Sequence, residues 1–524
     1  MLEFRISYAL LQSVVEIIKM KKLILALLFL VVLSSPSYAV TRYWVGGGSS
    51  GNWNATGNTN WGSASGTRDN QAVPTASEDV VFDDHSNGNT PCTVTAAAAC
   101  KTLTFTGGTG WTNTFTVNSS QAITVSGDVT LNSAMTYAGA GTLTMGTAGS
   151  VLDTNTKTIT GGFTIGSNSV TLAENIDVNG LFNQASGDSG ALTAAAPVNA
   201  NFGGGMTVSR KTTLTNVTII LDGTGTWGGT TTNGRYLDGN VTINAGAGTI
   251  TMSSPSWGGG TLTYTDGTIS SGTTTFSLNE TGTFAGEFPT TAFYNLAVTA
   301  ASTLTIDHAL YVTNNLALAA SLTMSGDYAF DPANISTSAT STLTIVRPIT
   351  VPGTVSLGAN LTMAGNYNTT FGNITATANS TLTTVNSIMG INTITANEGI
   401  ALTVTGNFPM ICNNLSVRSA GSLIFPSDYE LTVNTSINSD GTSYDTTTIR
   451  GATANRAFML KYLGTQANQS ITRTTFTDIC ACNGYALKNM FGTAAMLTRT
   501  RNISNVSFPL TTQETMFGFP KAEY

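Results

Sequence analysis

Apolar residues alternate with threonine or serine along most of this chain. Alternation with a period of two indicates β-strands, and a repeat of about twenty residues indicates coils stacked into a solenoid. The sequence therefore predicts an all-β, single-stranded parallel β-helix of roughly 20 coils with about 20 residues each, its shaft spanning residues 96–449. The repeat is clearest in phrases such as Ser-Thr-Leu-Thr-Ile, marked by Leu304, Leu322, Leu343, Leu361, Leu382, Leu402 and Leu423.

The composition favours an ordered chain over a disordered one. Charged residues are 9% of the 524 positions, hydrophobic residues are 41%, and glycine occupies 55 positions. Disordered segments combine low hydrophobicity with high net charge, which does not fit these values. Glycine and asparagine between the strands supply turns, because both tolerate positive φ.

The first 39 residues are predicted to be a leader and signal peptide, with Met20 as the true start. Lys21 and Lys22 precede an apolar run over residues 23–33, and small residues stand at Ser37 and Ala39. This is the pattern of a secretory signal cleaved after Ala39. A membrane anchor is the weaker alternative, because a spanning helix needs about 20 apolar residues. We therefore expect a secreted, extracellular or cell-surface protein without a transmembrane segment in its mature chain.

Residues 40–95 differ from the repeats that follow. They contain Tyr43-Trp44-Val45-Gly46-Gly47, Gly51-Asn52-Trp53, Asn60-Trp61, Val73-Pro74 and Glu78-Asp79-Val80-Val81-Phe82. This series resembles the opening of secreted β-helix proteins of the autotransporter-passenger and adhesin-like type. The resemblance implies a right-handed β-helix, a bacterial origin and an adhesive surface role.

The three tryptophans of this opening are expected to form an N-terminal cap. A solenoid would otherwise expose the apolar end and the unpaired strand edge of its first coil. Trp44, Trp53 and Trp61 supply large apolar area to cover that end. The alternative is an aromatic platform on which sugar rings stack.

The five cysteines suggest at most one simple bridge. Cys92 and Cys100 flank a segment of small residues, and an oxidising compartment favours a disulfide between them. Two buried free thiols are the alternative. Cys480 and Cys482 are too close in sequence for an easy internal bridge, and Cys412 is interpreted as a core residue.

The sequence predicts no cofactor, and it offers one group of residues as an alternative metal site. Asp83, Asp84 and His85, with Asn87 and Asn89 nearby, offer oxygen ligands of the kind that calcium prefers. Calcium is the weak alternative here, because no complete loop motif is present. A solvated turn after strand 80–82 is the favoured interpretation.

The region between residues 200 and 285 is the candidate glycan-contact region. Trp227 and Trp257 each precede two glycines, and Asp222, Asp238 and Asp266 lie near them in sequence. Aromatic rings and carboxylates on irregular coils are typical of polysaccharide-binding β-helices, in which paired acids can cleave a glycosidic bond. Longer turns with partly buried tryptophan side chains are the favoured interpretation, and glycan contact is the alternative.

Residues 450–524 are expected to form the last coils and a basic C-terminal cap. They hold eight Lys or Arg and three acids, whereas residues 43–449 hold eight basic and twenty-three acidic residues. A basic end could dock on an anionic glycan or a neighbouring subunit, or could simply be solvated.

Recognisable catalytic motifs are missing. His85 and His308 are the only histidines, and neither lies in a nucleophile motif. The net charge of −7 disfavours nucleic-acid binding. We therefore assign no catalytic residues and expect a structural or adhesive β-helix that binds a polysaccharide or another cell-surface component. A polysaccharide lyase or glycoside hydrolase, a phage tail fibre or appendage subunit, and self-association remain open alternatives.

Overall fold

The computed structural model describes residue 16, residues 18–24 and residues 40–506, apart from short gaps. The gaps are residues 49, 56–59, 86–89, 107–109, 167–168, 186–188, 230–235, 386–387, 407–408, 428, 443–444, 455, 457, 481–486, 491–496 and 502. Residues 16 and 18–24 are helical, and residues Gln466–Asn468 form a short 3-10 helix. Within the described ranges, no helix has the length and apolar character needed to cross a bilayer.

Nearly all other regular structure is β-strand. The first strands are β1 Thr41–Trp44, β2 Trp61–Gly62, β3 Asp79–Phe82, β4 Cys92–Val94, β5 Ala98–Cys100, β6 Thr102–Phe105, β7 Thr114–Val117, β8 Ala122–Val125, β9 Val129–Thr130, β10 Thr136–Ala138, β11 Thr142–Met145, β12 Ser150–Asp153, β13 Thr158–Ile159, β14 Gly162–Ile165, β15 Ser169–Leu172, β16 Ile176–Val178 and β17 Phe182–Gln184. The irregular middle contains β18 Gly190–Phe202, β19 Gly205–Val208, β20 Thr212–Leu221, β21 Gly225–Gly228, β22 Leu237–Ser253, β23 Ser256–Gly258, β24 Thr261–Ser270, β25 Thr275–Leu278 and β26 Gly282–Ala285.

The regular part and the C-terminal part complete the chain. Their strands are β27 Phe293–Val298, β28 Ser302–Ile306, β29 Leu310–Leu318, β30 Leu322–Ser325, β31 Phe330–Thr337, β32 Ser341–Thr344, β33 Ile349–Leu357, β34 Leu361–Ala364, β35 Thr369–Ala376, β36 Ser380–Thr384, β37 Ile388–Met389, β38 Ile391–Ala396, β39 Ala401–Thr405, β40 Met410–Val417, β41 Ser422–Phe425, β42 Glu430–Asp440, β43 Thr447–Gly451, β44 Phe458–Tyr462, β45 Gln469–Thr472, β46 Thr474–Cys480, β47 Leu487–Met490, β48 Leu497–Arg501 and β49 Ile503–Val506.

These strands form a parallel β-solenoid of about 18 coils with about 21 residues each, which confirms the predicted fold class. Strands of successive coils pair in parallel, as β28 does with β30 and β29 does with β31. The coils are slightly fewer and longer than predicted. One reason is the irregular middle, where single strands such as β22 run for 17 residues around the coil.

The period-two pattern separates the inside of the solenoid from the outside. All seven marker leucines are completely buried, and they belong to one continuous hydrophobic core. The threonines that flank them, such as Thr303 and Thr305, are partly exposed. The apolar residues therefore supply the burial that stabilises each coil, and the hydroxyl residues supply its neutral outer surface.

In the regular part, most coils combine a long strand that bends once with a short straight strand. In β29 the pairing register with β31 shifts between Val312 and Asn315, and this is where the strand bends. The same shift occurs between Val351 and Thr354 of β33. We call this position the bend, and it recurs from coil to coil at one corner of the solenoid.

The opening tryptophans are buried. Trp44, Trp53 and Trp61 have no exposed surface, and the rings of Trp53 and Trp61 lie 4.7 Å apart. The Trp61 indole N–H donates to the carbonyl of Trp53 at 3.0 Å, and all three rings contact Phe82. No ring face is therefore presented for sugar stacking, and the capping role stays a prediction.

The predicted Cys92–Cys100 disulfide is not formed. Both residues are buried free thiols. Cys92 lies in β4, which pairs with β7 in a separate three-stranded sheet, whereas Cys100 lies in β5, which pairs with β8 of the large sheet. Cys412 is also a buried free thiol, as expected for a core residue. Cys480 is disulfide-bonded, against expectation, and Cys482 lies outside the described residues.

Candidate functional site

The two tryptophans predicted to contact glycans face the core. Trp227 and Trp257 have no exposed surface. The Trp227 ring packs edge-on against Phe276 at 5.6 Å, and the Trp257 indole N–H donates to the carbonyl of Gly239 at 2.9 Å. Each tryptophan occupies an inward position of a strand, although the glycines after it look like a turn in the sequence. Neither ring therefore presents a face to a ligand.

Asp238, the second of the three predicted acids, belongs to an ion-pair network that the sequence did not reveal. The ammonium group of Lys211 lies 3.0 Å from the carboxylate of Asp238 and 3.3 Å from that of Glu280. Lys211 Nζ donates to the hydroxyl oxygen of Tyr236 at 2.9 Å, and this hydroxyl donates in turn to the Glu280 carboxylate. Lys211 is thus paired with one acid on the next coil and with a second acid further along the stack.

The protonation equilibria in this network do not favour acid–base chemistry. Hydrogen bonding to Tyr236, followed by that to Asp238, raises the pKa of Lys211. Burial, followed by the hydrogen bond with Glu280, raises the pKa of Tyr236. Both groups therefore hold their protons at neutral pH, whereas a general base must be unprotonated at the working pH.

Asp222 and Asp266 lie on one column of the solenoid, away from Asp238. Asp222 follows Leu221, which pairs with Ile243, and Asn244 pairs with Asp266 on the next coil. Burial, followed by repulsion from Asp177, raises the pKa of Asp222. The carboxylate of Asp266 accepts a hydrogen bond from the N–H of Gly267 at 2.7 Å. The structure thus brings Asp222 and Asp266 into one column, with one coil between them.

The acidic turn after β3 gathers three of the residues predicted as the weak calcium alternative. The ligand atoms of Asp83, Asp84 and His85 lie within 4.8 Å of one another, and the latter two residues are exposed. Calcium takes about six to eight oxygen ligands, more than these side chains supply. Asn87 and Asn89 lie outside the described residues. We assign no metal site here.

A groove at the bend is a concave feature that the sequence did not reveal. It has a volume of about 450 Å³, and its described lining contains no charged side chain. Ligand sites typically have about 300–1,000 Å³. The polar residues that line it are Thr275, Asn295, Asn314, Asn315, Asn334, Thr354 and Ser356.

The groove residues repeat because the coils are in register. Thr275 pairs with Asn295, Asn295 with Asn315, and Asn315 with Asn334. The N–H of Thr354 then donates to Asn334 Oδ1 at 2.7 Å. These five positions lie one coil apart, so the column extends about 19 Å along the rod axis. An asparagine just before an inward leucine or isoleucine, repeated at the coil period, is the sequence signal for this column.

Hydrogen bonds between coils hold the groove amides in place. Asn314 Nδ2 donates to Asn295 Oδ1 at 2.8 Å, and Asn334 Nδ2 donates to the carbonyl of Asn314 at 2.7 Å. Asn315 Nδ2 donates to the hydroxyl of Ser336 at 2.8 Å. Within the described chain, Asn315 Oδ1 accepts no hydrogen bond, and the hydroxyls of Thr354 and Ser356 have no partner. The groove therefore combines fixed amides with free acceptors and donors.

No known protein family, curated protein or solved structure matches this chain. The adhesin-like resemblance of the opening segment gains no support from a family match.

Proposed function

We propose that this chain is a secreted, non-catalytic rod that attaches to glycans at a cell surface or in the extracellular space. The observation that carries the proposal is the groove at the bend, whose amides and hydroxyls are held in register over five coils. Uncharged hydrogen-bonding groups of this kind suit the hydroxyl groups of sugars. The signal-like leader and the resemblance of the opening segment to adhesin-like proteins support the location and the adhesive role.

The arrangement of the acids favours attachment over cleavage. A glycosidase uses two carboxyl groups that flank one bond, with an acid and a base in distinct roles. Asp238 is paired with Lys211, on a different column from Asp222 and Asp266. The groove itself has no acid in its described lining. Binding of a glycan by hydrogen bonds therefore requires only the uncharged side chains that line the groove.

The test is a binding and product assay on a panel of uncharged and acidic polysaccharides. We expect the mature protein to be retained by at least one glycan in affinity electrophoresis without releasing reducing ends or unsaturated products. Heat-denatured protein serves as the control. Products that disappear in Asp222→Asn or Asp266→Asn would instead support the enzyme alternative. Light scattering that reveals a stable trimer would support the fibre alternative.

A further inference from the structure

The geometry points to one ligand class for the groove: a linear, uncharged polysaccharide that lies parallel to the rod axis. This inference rests on the proposed function and narrows it to one site and one kind of glycan.

The direction of the bound polysaccharide follows from the register of the residues that line the groove. Hydrogen-bonding side chains recur at the same position on five successive coils, about 4.8 Å apart. A ligand that crossed the axis would reach the side chains of only one or two coils. A linear chain along the axis meets an equivalent group at every coil, and one coil spacing is comparable with the length of one sugar ring in an extended chain.

The inference that the ligand is uncharged follows from the side chains that line the groove and from the net charge of the surrounding shaft. An acidic sugar would find no cation in the described lining. Residues 43–449 carry twenty-three acids against eight basic residues, so the shaft as a whole repels polyanions. Hydroxyl groups, in contrast, can donate to Asn315 Oδ1 and can accept from the hydroxyls of Thr354 and Ser356.

Small outward side chains keep the groove open on the side next to the asparagine column. Ala317 pairs with Ser336, and Ser336 pairs with Ser356, so this second column presents only small residues. A large side chain at Ser356 would occupy space that the ligand needs. The amides are already ordered by bonds between coils, which lowers the entropic cost of binding.

The same column offers a matched control outside the groove. Ser356 pairs with Thr375, Thr375 with Thr395, and Thr395 with Ser416. Ser416 is therefore an equivalent outward serine three coils further along, and it does not line the groove. Ser356→Trp and Ser416→Trp add the same ring to the same kind of strand position.

The experiment is calorimetric titration of the mature chain with linear oligomers of a β-glucan, a mannan and chitin, and with polygalacturonate oligomers, at low and high salt. We expect at least one series of uncharged oligomers to bind. Its affinity should rise with oligomer length, reach a plateau once the oligomer fills the groove, and stay the same at low and high salt. Ser356→Trp should lower that affinity at least about tenfold, and Ser416→Trp should leave it within about twofold. Circular dichroism and thermal unfolding verify that both variants fold.

A second pair of variants tests the acceptor without adding bulk. Asn315→Ala removes the free Oδ1, and Asn414→Ala removes an amide from the same column beyond the groove. We expect Asn315→Ala to weaken binding about three- to tenfold and Asn414→Ala to have little effect.

The outcomes separate this inference from the proposed function. Glycan binding that both tryptophan variants leave equally intact, or salt-sensitive binding of polygalacturonate alone, overturns the groove inference while attachment to glycans stands. No binding of the unmodified protein to any oligomer or polysaccharide overturns both.

Discussion

Trp257 donates its indole N–H to the carbonyl of Gly239 on the preceding coil, at 2.9 Å. Trp227 is equally buried, but its N–H has no hydrogen-bond partner within the described part of the chain. The two tryptophans therefore differ in this hydrogen bond, although the sequence around them is alike.

This difference predicts unequal costs for the same substitution. Trp257→Phe removes a hydrogen bond and leaves a partly buried carbonyl without this donor, whereas Trp227→Phe removes an unsatisfied N–H. We expect Trp257→Phe to lower the free energy of unfolding by about 1 to 2 kcal/mol more than Trp227→Phe. Urea unfolding followed by circular dichroism measures both, and equal losses would contradict the assignment.

The glycine at residue 326 is predicted to be irreplaceable. Gly326 has a φ of 94°, and a Cβ at this position would overlap the carbonyl oxygen of Ile306 on the preceding coil. Gly326→Ala should therefore lower the free energy of unfolding by more than about 1 kcal/mol. Gly146→Ala is the control, because a Cβ there meets no atom within 4 Å. Hydrogen exchange near residue 326 should increase in the first variant only.

The marker leucines and the two tryptophans show what the sequence could and could not predict. The leucines recur at the coil period between threonines, so their burial follows from alternation alone. Trp227 and Trp257 are followed by paired glycines, and this local signal of a turn outweighed the strand pattern. The groove was missed for another reason: its neutral side chains converge only when a bend stacks on itself over several coils.

Cys92 and Cys100 show a further limit of the sequence. Their short separation suggested a bridge, but pairing places their strands in different sheets. Sequence distance carries no information about which sheet a strand joins.

The thiols are predicted to be unreactive in the folded protein. Burial raises the pKa of Cys92, Cys100 and Cys412, in the last case to about 12. A thiolate is the reactive form, so these residues should not react with Ellman's reagent at pH 8 until the chain is unfolded. A non-reduced peptide map that links Cys92 to Cys100 would contradict this prediction.

The Lys211 network predicts a loss of stability at alkaline pH. The folded chain holds the proton of Lys211 more tightly than the unfolded chain does. The stabilisation is therefore complete below the ordinary lysine pKa of about 10.4 and is lost as the pH rises above it. The raised pKa of Tyr236 acts in the same direction.

Lys211→Met isolates this effect. We expect the melting temperature of the variant to fall less steeply than that of the unmodified protein between about pH 10 and pH 12. Lys157→Met, at a lysine outside the network, should follow the unmodified protein. Parallel curves for all three proteins would exclude the network as the cause.

The N-terminal segment is predicted to protect the first coil of the shaft. Phe82 stacks on Phe105 at 4.5 Å, and β3 pairs with β6 along their full length. Deletion of residues 40–95 would uncover Phe105 and leave β6 with an open edge. We expect the truncated chain to associate in dynamic light scattering at concentrations at which the mature protein is monodisperse. A truncated chain that stays monodisperse would show that these residues are not a cap.

Among the residues that the structure describes, strand pairing links each coil to the coil before it and the coil after it. Force applied to the two ends of the chain therefore acts mainly on contacts between adjacent coils, and we expect it to peel coils from the ends one after another. Each coil of about 21 residues releases up to about 70 Å of extended chain. Under fluid drag the rod would lengthen in steps from its ends. The groove near its middle would stay folded and bound to its ligand until the outer coils had unfolded.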